Sequence, residues 1–144
     1  MREQFGRYTL LKKIAVGGMG ELYLAELPGM GPYRREVVVK RIRQDLLHDD
    51  NFVEMFLNEG RLASMFRHPN IVQIYELGQV DEAFFMAMEY VAGSNLQDII
   101  ERLGGPVELP YALHAMARLC EGLDAAHDAR DDQGRAMRLV HRDI

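Results

Sequence analysis

The sequence has a single cysteine, Cys120, among its 144 residues. No disulfide can form within the chain, and the expectation is a reducing compartment. No stretch of 18 apolar residues occurs, so no membrane-spanning helix is expected. Met1-Arg2-Glu3-Gln4 is not followed by an apolar run, so no signal peptide is expected. Basic residues are not in excess. There are 17 against 22 acidic ones, for a net charge of -5, which argues against non-specific binding to nucleic acid or anionic membrane. Internal repeats, low-complexity tracts and heptads are absent. His48, His114 and His127 form no metal-ligand grouping, so no metal site is expected.

Apolar residues make up 48% and charged residues 27% of the chain. This is the balance of a globular protein with a real core. The first half reads as strands. Tyr8 to Ile14 runs into Ala15-Val16-Gly17-Gly18-Met19-Gly20, and Glu21 to Leu27 alternates polar and apolar. Pro28 to Arg35 is rich in glycine and proline and reads as a surface loop. Val37-Val38-Val39 predicts a third strand, ending at Lys40. The period then changes. Asp49 or Asp50 caps a helix whose residues Met55, Phe56, Leu62, Ala63 and Phe66 recur at helical spacing. Ile71 to Leu77 and Ala83 to Tyr90 read as two more strands, with a turn at Gly78 to Glu82. A short helix begins at Ser94 and runs to Leu103. A longer one spans Tyr111 to about Ala129, with Cys120 on its apolar face as a core residue. Met137 to Val140 reads as a short strand. The layout is five strands with one inserted helix, then two helices.

Four features bear on chemistry. Glycines between two strands let backbone amides approach a polyphosphate closely, although three glycines in four positions also suit a flexible hairpin. Lys40 is either an exposed edge charge or a side chain that reaches phosphates under that turn. Glu59 is either solvated or placed opposite Lys40, where it would orient the ammonium. Asp143, in His141-Arg142-Asp143, has the chemistry of a base toward a hydroxyl, while His141 suits packing.

In that order these motifs resemble the start of a eukaryotic-type protein kinase domain, and most of all the bacterial Ser/Thr kinases. The matching pieces are Ile14 to Tyr23, Val37-Val38-Val39-Lys40, Asn58-Glu59, His68-Pro69-Asn70-Ile71-Val72, Met88-Glu89-Tyr90-Val91 and Val140 to Ile144. The resemblance covers residues 8 to 144. It implies an α+β, protein kinase-like fold. Residues 1–92 would form a small lobe with a five-stranded antiparallel sheet and one packed helix. Residues 93–144 would supply the first helices of an incomplete larger lobe and the start of the catalytic loop.

The resemblance also implies roles. Ile14, Gly17, Gly18 and Gly20 would cover ATP, and Lys40 would pair with its phosphates, held by Glu59. Leu22 and Val38 would lie above the adenine, with Leu96 below it. Met88 would be the gatekeeper. Glu89 to Val91 would be the hinge that meets the adenine edge, and Asn95 would lie near the ribose. Ile74 and His141 would join the apolar spine. Asp143 would be the catalytic aspartate. Ala15 in place of the first glycine and Val38 in place of the common alanine read as variations within a working site.

The implied activity is transfer of the ATP γ-phosphoryl group to protein Ser or Thr hydroxyls in a longer parent protein. The 144 residues contain neither the catalytic-loop asparagine nor the Asp-Phe-Gly aspartate that hold Mg²⁺ in the family. The chain alone is therefore expected to be catalytically incomplete. Its partial larger lobe is expected to be looser beyond residue 105 and to expose an apolar surface suited to self-association. Localisation of the domain is expected to be cytoplasmic, with anchoring of the parent left open. The alternatives are a naturally short kinase-like module that binds nucleotide without catalysis, and a purely structural interaction protein.

Overall fold

A computed structural model describes residues 2–131 and 133–140. The elements in order are β1 (Glu3–Phe5), β2 (Tyr8–Val16), β3 (Gly20–Pro28), β4 (Arg34–Ile42), α1 (Asp50–Ser64), β5 (Ile74–Val80), β6 (Ala83–Glu89), α2 (Leu96–Leu103) and α3 (Leu109–His127). The chain divides into two compact units. One comprises residues 1–67 and 72–91, the other residues 68–71 and 92–144.

The first unit is an antiparallel sheet in the order β1-β2-β3-β4-β6-β5. Its centre is β4, whose run Val37, Val38 and Val39 is buried throughout. A β-branched run suits a strand covered on both faces, because alternate side chains point to opposite sides. On one face Val37 and Val39 join Phe5, Tyr8, Leu10, Tyr23, Ala25, Phe85 and Ala87 in a core cluster. On the other face, Ile42 and Met86 pack with Phe56 of α1 and Ile74 of β5. Asp49 caps α1 by accepting a hydrogen bond from the Asn51 amide at 3.0 Å. Phe56 is the fully buried side chain through which α1 reaches the sheet.

The sheet has six strands, not the five expected from sequence. Three residues are too few to show a period, so β1 carries no alternation to read. Tertiary packing holds it instead. Phe5 meets Phe85 edge-on with ring centroids 5.4 Å apart. Gly6 turns the chain into β2 at a φ of +55°, which glycine adopts without steric penalty. An ionic network then ties β1 to its neighbours. Arg41 of β4 reaches Glu3 at 3.1 Å, Glu21 at 3.3 Å and the Tyr23 hydroxyl at 2.8 Å. Lys13 of β2 donates to Glu21 at 2.5 Å.

Other expectations also need correction. Helix α2 starts after Asn95, whose side chain accepts from the Asp98 amide at 2.8 Å, rather than at Ser94. Strand β5 continues through Gly78 to Val80, so the turn shrinks to Asp81 and Glu82, with Asp81 at a φ of +52°. Met137 to Val140 is not a strand. An isolated bridge between Arg130 and Ala136 precedes it, and Arg138 takes a φ of +53°, a value incompatible with extended pairing. Cys120 is exposed rather than part of a core. Among the residues of α3 only Gly122 is buried, where a side chain would press on the Asn70 carbonyl at 3.0 Å. Leu109, Tyr111, Leu113 and Met116 are all exposed. The apolar pattern of α3 is real, but nothing among the described residues covers it.

Two outcomes test this account. Phe56→Ala should destabilise the first unit by about 3–5 kcal/mol, the usual range for emptying a buried aromatic site, read as a lower urea midpoint. Glu21 gives the second. Its carboxyl is lowered from 4.5 to about 2, chiefly by the Lys13 hydrogen bond, with Tyr23 and Arg41 assisting and partial burial opposing. A carboxylate depressed in the folded state stabilises the fold above its unfolded pKa and loses that contribution as pH falls through the folded one. Urea midpoints should therefore drop between about pH 4.5 and about pH 2. Glu21→Gln should flatten that part of the profile. An unchanged slope would show that Glu21 contributes no pH-dependent stability through this network.

Candidate functional site

Cross-strand register gathers the candidate residues of the first unit on one face of the sheet. Leu22 lies opposite Lys40, and Leu24 opposite Val38. Lys40 in turn lies opposite Met86, and Val38 opposite Met88. Directly paired residues share a face, and this is the face on which α1 packs. Alternation along β4 therefore sends Lys40 toward α1, while Val39 and Arg41 point to the other side.

Lys40 meets Glu59 there. The Nζ to Oε1 distance is 2.6 Å, with the lysine side chain 16% exposed and the glutamate 42%. Of the two readings of Lys40 open from sequence, the free edge charge is excluded. The Phe56 ring centroid lies 5.7 Å from Nζ, so the same aromatic that docks α1 also faces the ammonium. This residue was legible in the sequence as a member of the helical stripe, but nothing there linked it to Lys40. Met86, opposite Lys40 and almost fully buried, was likewise read only as a strand residue.

The glycine turn closes by a hydrogen bond from the Gly17 amide to the Gly20 carbonyl at 2.8 Å. Gly18 has no neighbour within 4 Å of where a Cβ would stand. Gly20 differs. A Cβ there would meet the Arg41 carbonyl at 3.0 Å and the Lys40 side chain at 3.2 Å. Glycine at this position lets the turn lie directly against the lysine. Ile14 and Val16, before the turn, are exposed at 43% and 61%. Leu22 is partly buried and Val38 buried. An open apolar rim beside a paired lysine, with the Gly17–Gly20 backbone above it, suits the base and phosphates of a nucleotide.

The remaining candidates divide between the two units. Met88 packs against the α1 cluster, which also includes Ile74. The Glu89 amide donates to the Gln73 carbonyl at 2.9 Å, so that group is already engaged, and Val91 is exposed. Asn95 belongs to the second unit, where its side chain caps α2. Leu96 of the same unit is 45% exposed. Asp143 and His141 lie outside the described residues. Among the described residues no three His, Cys, Asp or Glu side chains converge as metal ligands. They do not supply a site fit for Mg²⁺. No helix among them is long and apolar enough to cross a membrane.

Comparison with known proteins bears on the family and the fold. The protein kinase domain family model matches residues 8–144. The tyrosine-protein kinase MasK of Myxococcus xanthus is 40% identical over 99% of the chain and 22% of its own length. The serine/threonine-protein kinase PrkC of Bacillus subtilis is 38% identical over 96% of the chain and 20% of its own length. The chain thus spans about a fifth of these relatives. The crystal structure of the Mycobacterium tuberculosis PknI kinase domain superposes with a TM-score of 0.71 at 28% identity, over 99% of this chain and 53% of that one. The family generally uses ATP and Mg²⁺. With the lysine–glutamate pair, the glycine turn and the matched span in place, the chain belongs to the protein kinase domain family.

Proposed function

We propose that the protein carrying this chain transfers the γ-phosphoryl group of ATP to Ser or Thr hydroxyls of protein substrates, and that the first unit supplies its nucleotide-binding face. The observation that carries the reading is the 2.6 Å Lys40–Glu59 pair lying against Gly20. An ammonium held by a carboxylate is fixed in direction. It presents its remaining N–H donors to phosphate oxygens without the entropy loss of ordering a free lysine. Glu59 comes from α1, so the pair exists only while α1 is docked through Phe56.

Leu22 and Val38 give the base an apolar surface and exclude water from it. The Gly17–Gly20 turn allows close approach of backbone donors to the phosphates. Asp143 is assigned the role of accepting the substrate hydroxyl proton, on its place in the His141-Arg142-Asp143 motif. The 144 residues contain no Asp-Phe-Gly, and no metal cluster forms among the described residues. On this reading the chain alone binds nucleotide and does not transfer phosphate. The acceptor class rests on serine/threonine kinases such as PrkC. A tyrosine acceptor is the second reading, favoured by the similarity to MasK.

Two measurements test this. The purified chain should bind ATP in calorimetry, and Lys40→Met should weaken binding at least about tenfold, equivalent to about 1.4 kcal/mol. Equal affinity in the variant would remove Lys40 from the site. The chain alone should show no magnesium-dependent phosphotransfer. The longer protein should label Ser or Thr in phosphoamino-acid analysis, and exclusive labelling of Tyr would favour the second reading.

A further inference from the structure

The two arms of the glycine turn are held unequally. The departing arm begins β3, where Gly20, Glu21 and Leu22 pair in unbroken register with Ile42, Arg41 and Lys40 of β4. The tip is tied just past the end of that strand, since the Arg43 amide donates to the Met19 carbonyl at 3.2 Å. The entering arm, the end of β2, has less support. β1 pairs with β2 at Tyr8, Thr9 and Leu10, so residues 12–16 pair with β3 alone. That pairing is itself interrupted. Register shifts between Leu10 and Lys12, and again between Lys13 and Ala15. An extra residue in one strand breaks the ladder locally and bends the strand. Ile14, the extra residue of the second shift, lies at the mouth of the turn and is exposed.

One side-chain contact spans that break. Lys13 lies opposite Tyr23, and Glu21, paired with Arg41, is its diagonal neighbour on the face away from α1. Long side chains reach across such a diagonal. The Lys13 Nζ lies 2.5 Å from the Glu21 Oε1. Glu21 is itself fixed, because its Oε2 accepts from the Tyr23 hydroxyl at 2.8 Å and from Arg41 at 3.3 Å. Lys13 therefore closes on an anchored carboxylate, and less side-chain entropy is lost than when two free side chains pair.

We propose that Lys13 and Glu21 are positioning residues for the nucleotide. By fastening the entering arm from the far side of the sheet, they hold the glycine turn over the phosphates. The inference rests on the nucleotide-binding reading of the Lys40 face. Neither side chain lies on that face, so their effect on affinity passes through the backbone of residues 14–20. The sign of one effect separates this role from simple charge. Through space, removing the Glu21 anion favours a polyphosphate. Through the clamp, removing it releases the arm and weakens binding.

The test combines calorimetry with amide hydrogen exchange on the 144-residue chain. Lys13→Met and Glu21→Gln should each weaken ATP binding about threefold to fivefold, the upper range for a partly exposed ion pair. The double variant should bind no more weakly than the weaker single variant, because both changes break one contact. Lys13→Arg should retain wild-type affinity, since it keeps a charged donor for Glu21. The losses should be larger for ATP than for adenosine. Without ligand, the amides of residues 14–20 should exchange faster in Lys13→Met than in the wild type, with residues 37–42 unchanged. Tighter ATP binding by Glu21→Gln would leave only the through-space charge and overturn the proposal. Additive losses, equal losses for ATP and adenosine, or unchanged exchange at residues 14–20 would also overturn it. A wild-type chain without affinity for ATP would overturn the nucleotide reading and any positioning role with it. The exchange difference would then show that the failure lay in that reading and not in the clamp.

Discussion

Burial of β4 on both faces is the constraint from which the rest of the first unit follows. Val37 and Val39 close one core and Val38 faces the other, so the strand can neither slip nor leave the sheet. A slip of one residue would exchange the two faces. It would turn Lys40 away from α1 and bring Arg41 toward it. The ion pair with Glu59 is thus a consequence of strand register before it is a matter of charge. Its strength as an interaction is secondary, because Glu59 remains substantially exposed and surface pairs contribute little to stability. What the pair supplies is direction for the ammonium.

The same alternation separates two electrostatic systems. On the α1 face a single lysine is held by one glutamate above an aromatic ring. On the other face Arg41 gathers Glu3, Glu21 and Tyr23, while Lys13 reaches Glu21 from β2. One guanidinium joins β4 to β3 and to the short β1 there, and Lys13 adds β2 through Glu21. The residue after the glycine turn, Glu21, belongs to this network, and Gly20 touches Lys40. The turn is therefore anchored from both faces of the sheet, although only its glycines stood out in the sequence.

The second unit shows the opposite situation. Helix α3 has an apolar stripe of ordinary quality, a proline in its first turn and nineteen residues, and yet it buries almost none of them. Local propensity and pattern are enough to specify a helix, but burial needs a surface to pack against. Cys120 shows the consequence. Its place on an apolar face predicted a core, and its environment is solvent.

Much of this architecture was legible in the residues. The valine run, the helical stripe from Phe52, the Asp49 cap and the glycine turn each carry a local signal, because side-chain period and backbone chemistry are properties of short segments. The ordered motifs pointed to the family without any geometry. Other features were decided only in three dimensions. β1 is held by Phe85 and Arg41, which lie some eighty and forty residues away. Phe56 lies beneath Lys40 because α1 docks there. Arg7 and Arg67 from two loops and Arg35 from β4 line one cavity. Contacts between distant residues depend on register and topology, which no segment encodes by itself. The sequence by itself determined which elements form and which residues carry charge. The tertiary structure decided which of those charges meet.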